Sequence, residues 1–130
     1  MSKDIQAALI TEIGEMIAGD DYLQAQEWQG LGLVVTIQDG TRRMTGFRYL
    51  EDGSFEADTP DNGGDVMRKL RELKHAMIAN GDGAFVQCLI HLTRPDYELR
   101  LQFEFDDPTR WKPKKISMDM SEFADLLRPE

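Results

Sequence analysis

The sequence predicts an α+β domain: a single antiparallel sheet of about five strands with helices packed on it, in the order α-β-β-β-α-β-β-α. Three observations lead there. Tyr97, Leu99, Leu101, Phe103 and Phe105 alternate with Glu98, Arg100, Gln102 and Glu104, the period of a strand with one buried and one wet face. The β-rich run Phe85 to Thr93 precedes it across Arg94, Pro95 and Asp96, so the two runs form an antiparallel hairpin. Broad apolar stripes at three- and four-residue spacing, before and between the strand runs, supply helices to cover the sheet.

At 130 residues the chain is expected to be one domain over residues 1–130, long enough to bury a core and too short for two. The first helix runs from Asp4 to Ala18, with Ile5, Leu9, Ile10, Ile13, Met16 and Ile17 as its apolar stripe; Ser2 or Asp4 can cap its start and Gly19 its end. A polar connection follows. Trp28 to Gln38 then reads as a strand, Asp39 and Gly40 as a two-residue hairpin turn, and Thr41 to Leu50 as the returning strand, with Phe47 and Tyr49 opposite Arg42, Met44 and Arg48. A turn at Asp52 and Gly53 leads to a short third strand, Ser54 to Ala57, completing a meander.

Thr59 to Gly64, TPDNGG, is a loop. Asp65 can cap the next helix, whose apolar stripe is Val66, Met67, Leu70, Leu73, Met77 and Ile78, and which Asn80 and Gly81 end. Its basic residues Arg68, Lys69, Arg71 and Lys74 are interrupted by Glu72 and have no interleaved aromatic, so they read as a solvated face rather than a nucleic-acid patch. After the hairpin, prolines 108 and 113 enforce a loop around Trp111. A last helix over about Met118 to Leu127 presents Met120, Phe123, Leu126 and Leu127, with Ser117 or Asp119 as cap.

Apolar content of 41% with 30% charged residues suits a folded soluble protein. No run approaches the roughly 18 apolar residues of a membrane helix, and the start, MSKDIQAAL, lacks the basic and apolar segments of a secretion signal. A cytoplasmic location is the expectation. The single cysteine, Cys88, leaves no partner for an internal disulfide and reads as a small buried hydrophobe. The net charge of −9 is uneven: Met1 to Asp65 holds 4 Lys/Arg against 13 Asp/Glu, while Val66 to Glu130 holds 11 of each. Such an acidic half repels nucleic acid and anionic membrane and speeds encounter with a basic partner; on charge alone, solubility is the preferred explanation of the acidity.

Motifs for chemistry are sparse. His75 and His91 stand apart, with neither HExxH nor CxxC spacing, so no metal site is expected. Gly30, Gly32, Gly63 and Gly64 do not form a phosphate loop, and no serine occupies a nucleophile elbow. Neither a catalytic residue nor a cofactor is expected. His91, placed on the strand face of Phe85 and Leu89, reads as a satisfied, partly buried histidine. Glu104, Asp106 and Asp107 beside Trp111 suggest a protein-binding rim with an aromatic anchor, or a tryptophan folded back onto the core among solvated acids. Glu51, Asp52, Glu56, Asp58 and Asp61 form a second carboxylate group, drawn together by the turn, the short strand and the loop that follows.

The amphipathic helix, the meander, the helix LRELKHAMIANGDGAF and the strand LRLQFEFDD leading to a tryptophan resemble the YezG-like immunity proteins. Proteins of that family are encoded beside polymorphic bacterial toxins, including contact-dependent and secreted nuclease toxins, and each binds and blocks its own toxin. The likeness covers Val66 to Trp111; before that it rests on the order of elements. The loop WKPKK and the final helix fall outside it. The resemblance implies an antitoxin that opposes a cognate protein toxin, a basic nuclease domain, without catalysis; the acidic charge separately predicts no binding to nucleic acid or membrane. Glu51, Asp52, Glu56, Asp58, Asp61, Glu104, Asp106, Asp107 and Trp111 are its candidate toxin-binding residues on physical grounds. Two other readings stand beside it: a small enzyme or enzyme subunit using His91 with the hairpin carboxylates as acid and base, and an adaptor that binds through the sheet face or the helix from Asp65 to Asn80.

Overall fold

A computed structural model describes residues 2–38, 40–112 and 120–129. Its elements are α1 (Ser2–Ala18), α2 (Asp21–Gln24), β1 (Gly30–Gln38), β2 (Thr41–Tyr49), β3 (Phe55–Ala57), α3 (Gly63–Ala79), β4 (Gln87–Thr93), β5 (Glu98–Glu104) and α4 (Met120–Leu127). The predicted order holds, with the four-residue α2 added inside the polar connection. Asp20 caps α2 by accepting the Leu23 N–H. At α3 the position before the first turn is Asn62, which makes no side-chain cap bond, and Asp65 lies within that turn. Asp39, Pro113 and the proposed caps Ser117 and Asp119 lie outside the described residues.

The five strands form one antiparallel sheet in the order β3-β2-β1-β4-β5. Helices α1 and α3 pack together on one face, burying Leu9, Ile13, Ile17, Val66, Leu70, Leu73 and Met77 against Leu31, Leu33, Val35 and Ile37 of β1 and Cys88, Ile90 and Leu92 of β4. Central β1 is buried almost throughout, because its other face is also covered. There Val34, Phe47, Tyr49 and Leu89 meet Trp111 and Phe123, Ala124 and Leu127 of α4 in a second cluster. The two clusters are the two sides of one sheet, so the domain is a three-layer structure with a short outer layer. Among the described residues, no helix is long and apolar enough to cross a membrane.

A notch at Gly32 positions α4. A Cβ on Gly32 would lie 2.3 Å from the Leu127 carbonyl oxygen, so only glycine admits the end of the helix there. His91, paired with Gly32 across the sheet, places Nε2 2.8 Å from that same oxygen, and the Tyr49 hydroxyl donates to Ala124 O at 2.6 Å. Carbonyls at a helix C-terminus lack intrahelical partners, and two side chains of the sheet meet them here. Burial also pushes the Tyr49 hydroxyl pKa well above its usual value.

Some side chains depart from the predicted pattern. Phe85 turns to the α1/α3 face and packs against Phe103 at 5.0 Å between centroids, so it does not share a face with Leu89 and His91; regular β4 begins only at Gln87. Leu99, Leu101 and Phe103 pack on the core as expected, but Tyr97 and Phe105 are 42% and 40% exposed. Both flank the edge strand, and Tyr97 has a left-handed backbone (φ 55°) that removes it from the alternation. Ile5, Ile78, Met120 and Leu126 are likewise exposed, each at the rim of its helix stripe.

Candidate functional site

The turn between β2 and β3 builds the acidic end of the sheet. Gly53 takes a positive φ of 89° and its N–H donates to Leu50 O at 3.0 Å. Asp52 Oδ1 accepts from the Ser54 hydroxyl at 2.6 Å and the Ser54 N–H at 2.9 Å. These bonds, the hydroxyl's first, hold the Asp52 carboxyl below its usual pKa range, so it stays ionised. Glu51 is exposed beside it. Together with Glu27, Gln29, Leu50 and Ser54 they line a recess of about 560 Å³.

Arg94 also lines the recess, its guanidinium 3.8 Å from the centroid of the Trp28 ring. The Arg94 Nε is buried and has no hydrogen-bond partner; Nη1 reaches only long contacts of 3.4 Å to the Gln26 and Trp28 carbonyls. Stacking on an aromatic face holds this cation in a lining it shares with Glu27, Glu51 and Asp52.

The remaining members of the predicted first group divide. Glu56, on edge strand β3, and Asp61, in the following loop, have exposed side chains. Asp58 does not: its side chain is only 13% exposed and is engaged by Arg48 Nε at 2.8 Å, the Tyr22 hydroxyl at 2.7 Å and the Thr59 N–H at 2.9 Å. The bond to Asp58 raises the Tyr22 pKa. Asp58 is therefore a fastener of α2 to the meander, and is corrected from contact candidate to internal partner.

The second group lies at the opposite edge, beyond β5, so the sheet keeps the two groups apart. Glu104 accepts the N–H groups of Asp106 and Asp107 at 3.0 and 3.1 Å and pairs with Arg110 at 3.0 Å. The backbone bonds, Asp107's before Asp106's, and then Arg110, lower its pKa. Asp107 in turn accepts from Thr109 N and Oγ1. These acids organise the loop, although Asp106 and Asp107 remain exposed. Trp111 is 3% exposed and its N–H donates to the buried Gln87 at 3.0 Å. It caps the second core cluster and cannot serve as an exposed anchor, which corrects that expectation.

Glu27 was not among the predicted residues, although its placement follows from register. Gln38 pairs with Thr41 and Gly30 with Tyr49; counting on by the same step sets Gln29 against Leu50 and Glu27 against Asp52. Among the described residues, no group of three or more His, Cys, Asp or Glu is arranged to hold a metal ion. Cys88 is fully buried, which raises its thiol pKa. No protein-family model matches the chain, and no curated protein sequence matches it.

Proposed function

We propose that the chain is an antitoxin of the immunity type, acting in the cytoplasm, which neutralises a cognate basic nuclease toxin by one-to-one binding through the acidic end of its sheet. The observation that carries this reading is the convergence of Glu27, Glu51 and Asp52 on one recess, with Glu56 next along the exposed edge strand. Clustered like charges repel one another in the free protein, and a cationic partner relieves that repulsion. The fixed turn at Asp52 adds preorganisation, which lowers the ordering cost of association. The resemblance of Val66 to Trp111 to immunity proteins and the −9 carried by the first half of the chain point the same way.

The test uses Glu51→Lys, Glu56→Lys and Asp61→Lys together, leaving Asp52 and Asp58 in place because they hold the structure. Co-purification with the product of the neighbouring gene supplies the partner. Charge steering predicts that the triple variant associates at least about tenfold more slowly at low salt, and that the difference shrinks when about 0.5 M salt screens the field. An unchanged association rate at both salts, with unchanged protection of cells, refutes binding through this edge.

A further inference from the structure

The second face of the sheet carries a groove of the opposite sign. Beside α4, a groove of about 470 Å³ opens over β4 and β5. Among the described residues its lining contains Arg100, Arg110, Arg128 and His91, and no carboxylate, in a chain whose net charge is −9. Strand alternation explains part of this: Arg100 and Gln102 stand on the wet face of β5, which is the face turned toward α4.

Each arginine is held at one side by a carboxylate that does not itself line the groove. Glu98 takes Arg100 Nη2 at 3.2 Å, Glu104 takes Arg110 Nη1 at 3.0 Å and Asp125 takes Arg128 Nη2 at 3.1 Å. A guanidinium has five N–H donors in a planar fork, so each retains donors beyond that contact. Two are further fixed by aromatic faces: Arg110 lies 4.6 Å from the Trp111 centroid and Arg128 4.7 Å from that of Tyr49. Forks held in this way suit bidentate recognition of oxyanions.

We infer that this groove binds a small polyanion, a molecule with two or three closely spaced phosphate or carboxylate groups, ligated by Arg100, Arg110 and Arg128. Its volume falls in the range of small-molecule sites, roughly 300–1,000 Å³, rather than of a macromolecular interface. Leu89 and Leu126 supply an apolar flank for a short carbon skeleton between the charged ends. The inference is independent of the toxin-binding reading, because the two surfaces share no lining residue.

The experiment titrates the isolated, 15N-labelled full chain with tripolyphosphate and, separately, with citrate, following amide shifts by NMR. The expected result is saturable binding with shifts centred on Arg100, Gln102, Arg110 and Arg128, weakened at least about tenfold in Arg100→Gln/Arg128→Gln and unaltered in Arg42→Gln/Arg43→Gln on β2. Arg100→Gln alone, at the most exposed of the three arginines, serves if the double variant loses its folded spectrum. The tighter of the two compounds identifies phosphate or carboxylate as the ligand chemistry. Non-saturating shifts spread equally over Arg42, Arg43 and Arg71, or unchanged affinity in the groove variants, would overturn the inference. No toxin partner is present in the assay, so neither result bears on the acidic edge.

Discussion

Asp20 is only 5% exposed, yet its carboxylate accepts three backbone N–H groups: those of Leu23 at 3.0 Å, Asp61 at 3.2 Å and Asn62 at 2.9 Å. It thereby ties the start of α2 to the loop before α3, and Asn62 Nδ2 reinforces the tie by donating to Met16 O at 2.8 Å. Hydrogen bonds to a charged acceptor contribute about 1.5–3 kcal/mol each, and the Leu23 bond is also a helix cap worth about 1 kcal/mol. Asp61 and Asn62 are not fully buried, so water meets part of the loss. Asp20→Ala should therefore destabilise the domain by about 3–5 kcal/mol, less than the simple sum. Asp20→Asn keeps one acceptor and turns an amide NH2 toward N–H donors, for a loss of about 1–3 kcal/mol. Urea unfolding followed by circular dichroism measures both, and Trp28 fluorescence reports the region directly because its indole N–H donates to Leu23 O at 2.9 Å. A loss below about 1 kcal/mol for Asp20→Ala would mean that solvent replaces the carboxylate and that the tie is incidental.

Gly32→Ala should cost about 2–3 kcal/mol as an overpacking change, because the obstructing atom is the Leu127 backbone carbonyl; urea midpoints measure it, and an unchanged midpoint would show that α4 shifts freely. Gln87→Leu removes the acceptor of Trp111 N–H and the donor to Thr36 Oγ1, so a loss of about 1–3 kcal/mol and a red-shifted tryptophan emission are expected. Asp52 and Glu104 have lowered pKa values in the folded chain, so their contribution is present above the unfolded values of about 3.9 and 4.3 and fades as pH falls through the lower folded values. Urea midpoints taken downward from pH 7 should show a shallower acid decline in Asp52→Asn/Glu104→Gln than in the native chain, and equal slopes would count against this assignment.

The fold was legible where side-chain period alone decides it. The alternation from Leu99 to Phe103 and the stripes of α1 and α3 named the correct buried faces, since a one-residue slip would move every apolar group into water. The outer layer was less legible. Phe123 and Leu127 marked α4 as amphipathic, but nothing in their spacing states which face of the sheet receives them; that depends on the Gly32 notch and on His91 and Tyr49, brought together across three strands. Asp20 and Asp58 could not be distinguished from solvated acids, because the N–H groups of Asp61 and Asn62 and the Arg48 guanidinium reach them only through tertiary contacts. Trp111 was open to two readings, and its burial with Phe123 and Leu127 in the second cluster decides for the core.

The distribution of charge shows why counting by halves reveals one surface and hides the other. In the first half acids outnumber bases 13 to 4, and Glu51, Glu56 and Asp61 follow from that excess together with the turn, short strand and loop that carry them. In the second half 11 cations meet 11 anions, and the sum is silent. Strand period separates them locally: Glu98, Arg100, Gln102 and Glu104 share one face of β5, and Arg100 pairs with Glu98 while Glu104 pairs with Arg110 in the adjoining loop. Each carboxylate holds its arginine from outside the groove and leaves the guanidinium in its wall. A neutral half thus gives a cationic concavity, visible only once face and register are known. The two surfaces answer to different substitutions, Glu51, Glu56 and Asp61 for the edge and Arg100 and Arg128 for the groove, so a ligand of either sign can be assigned to its side of the sheet by which set of variants it responds to.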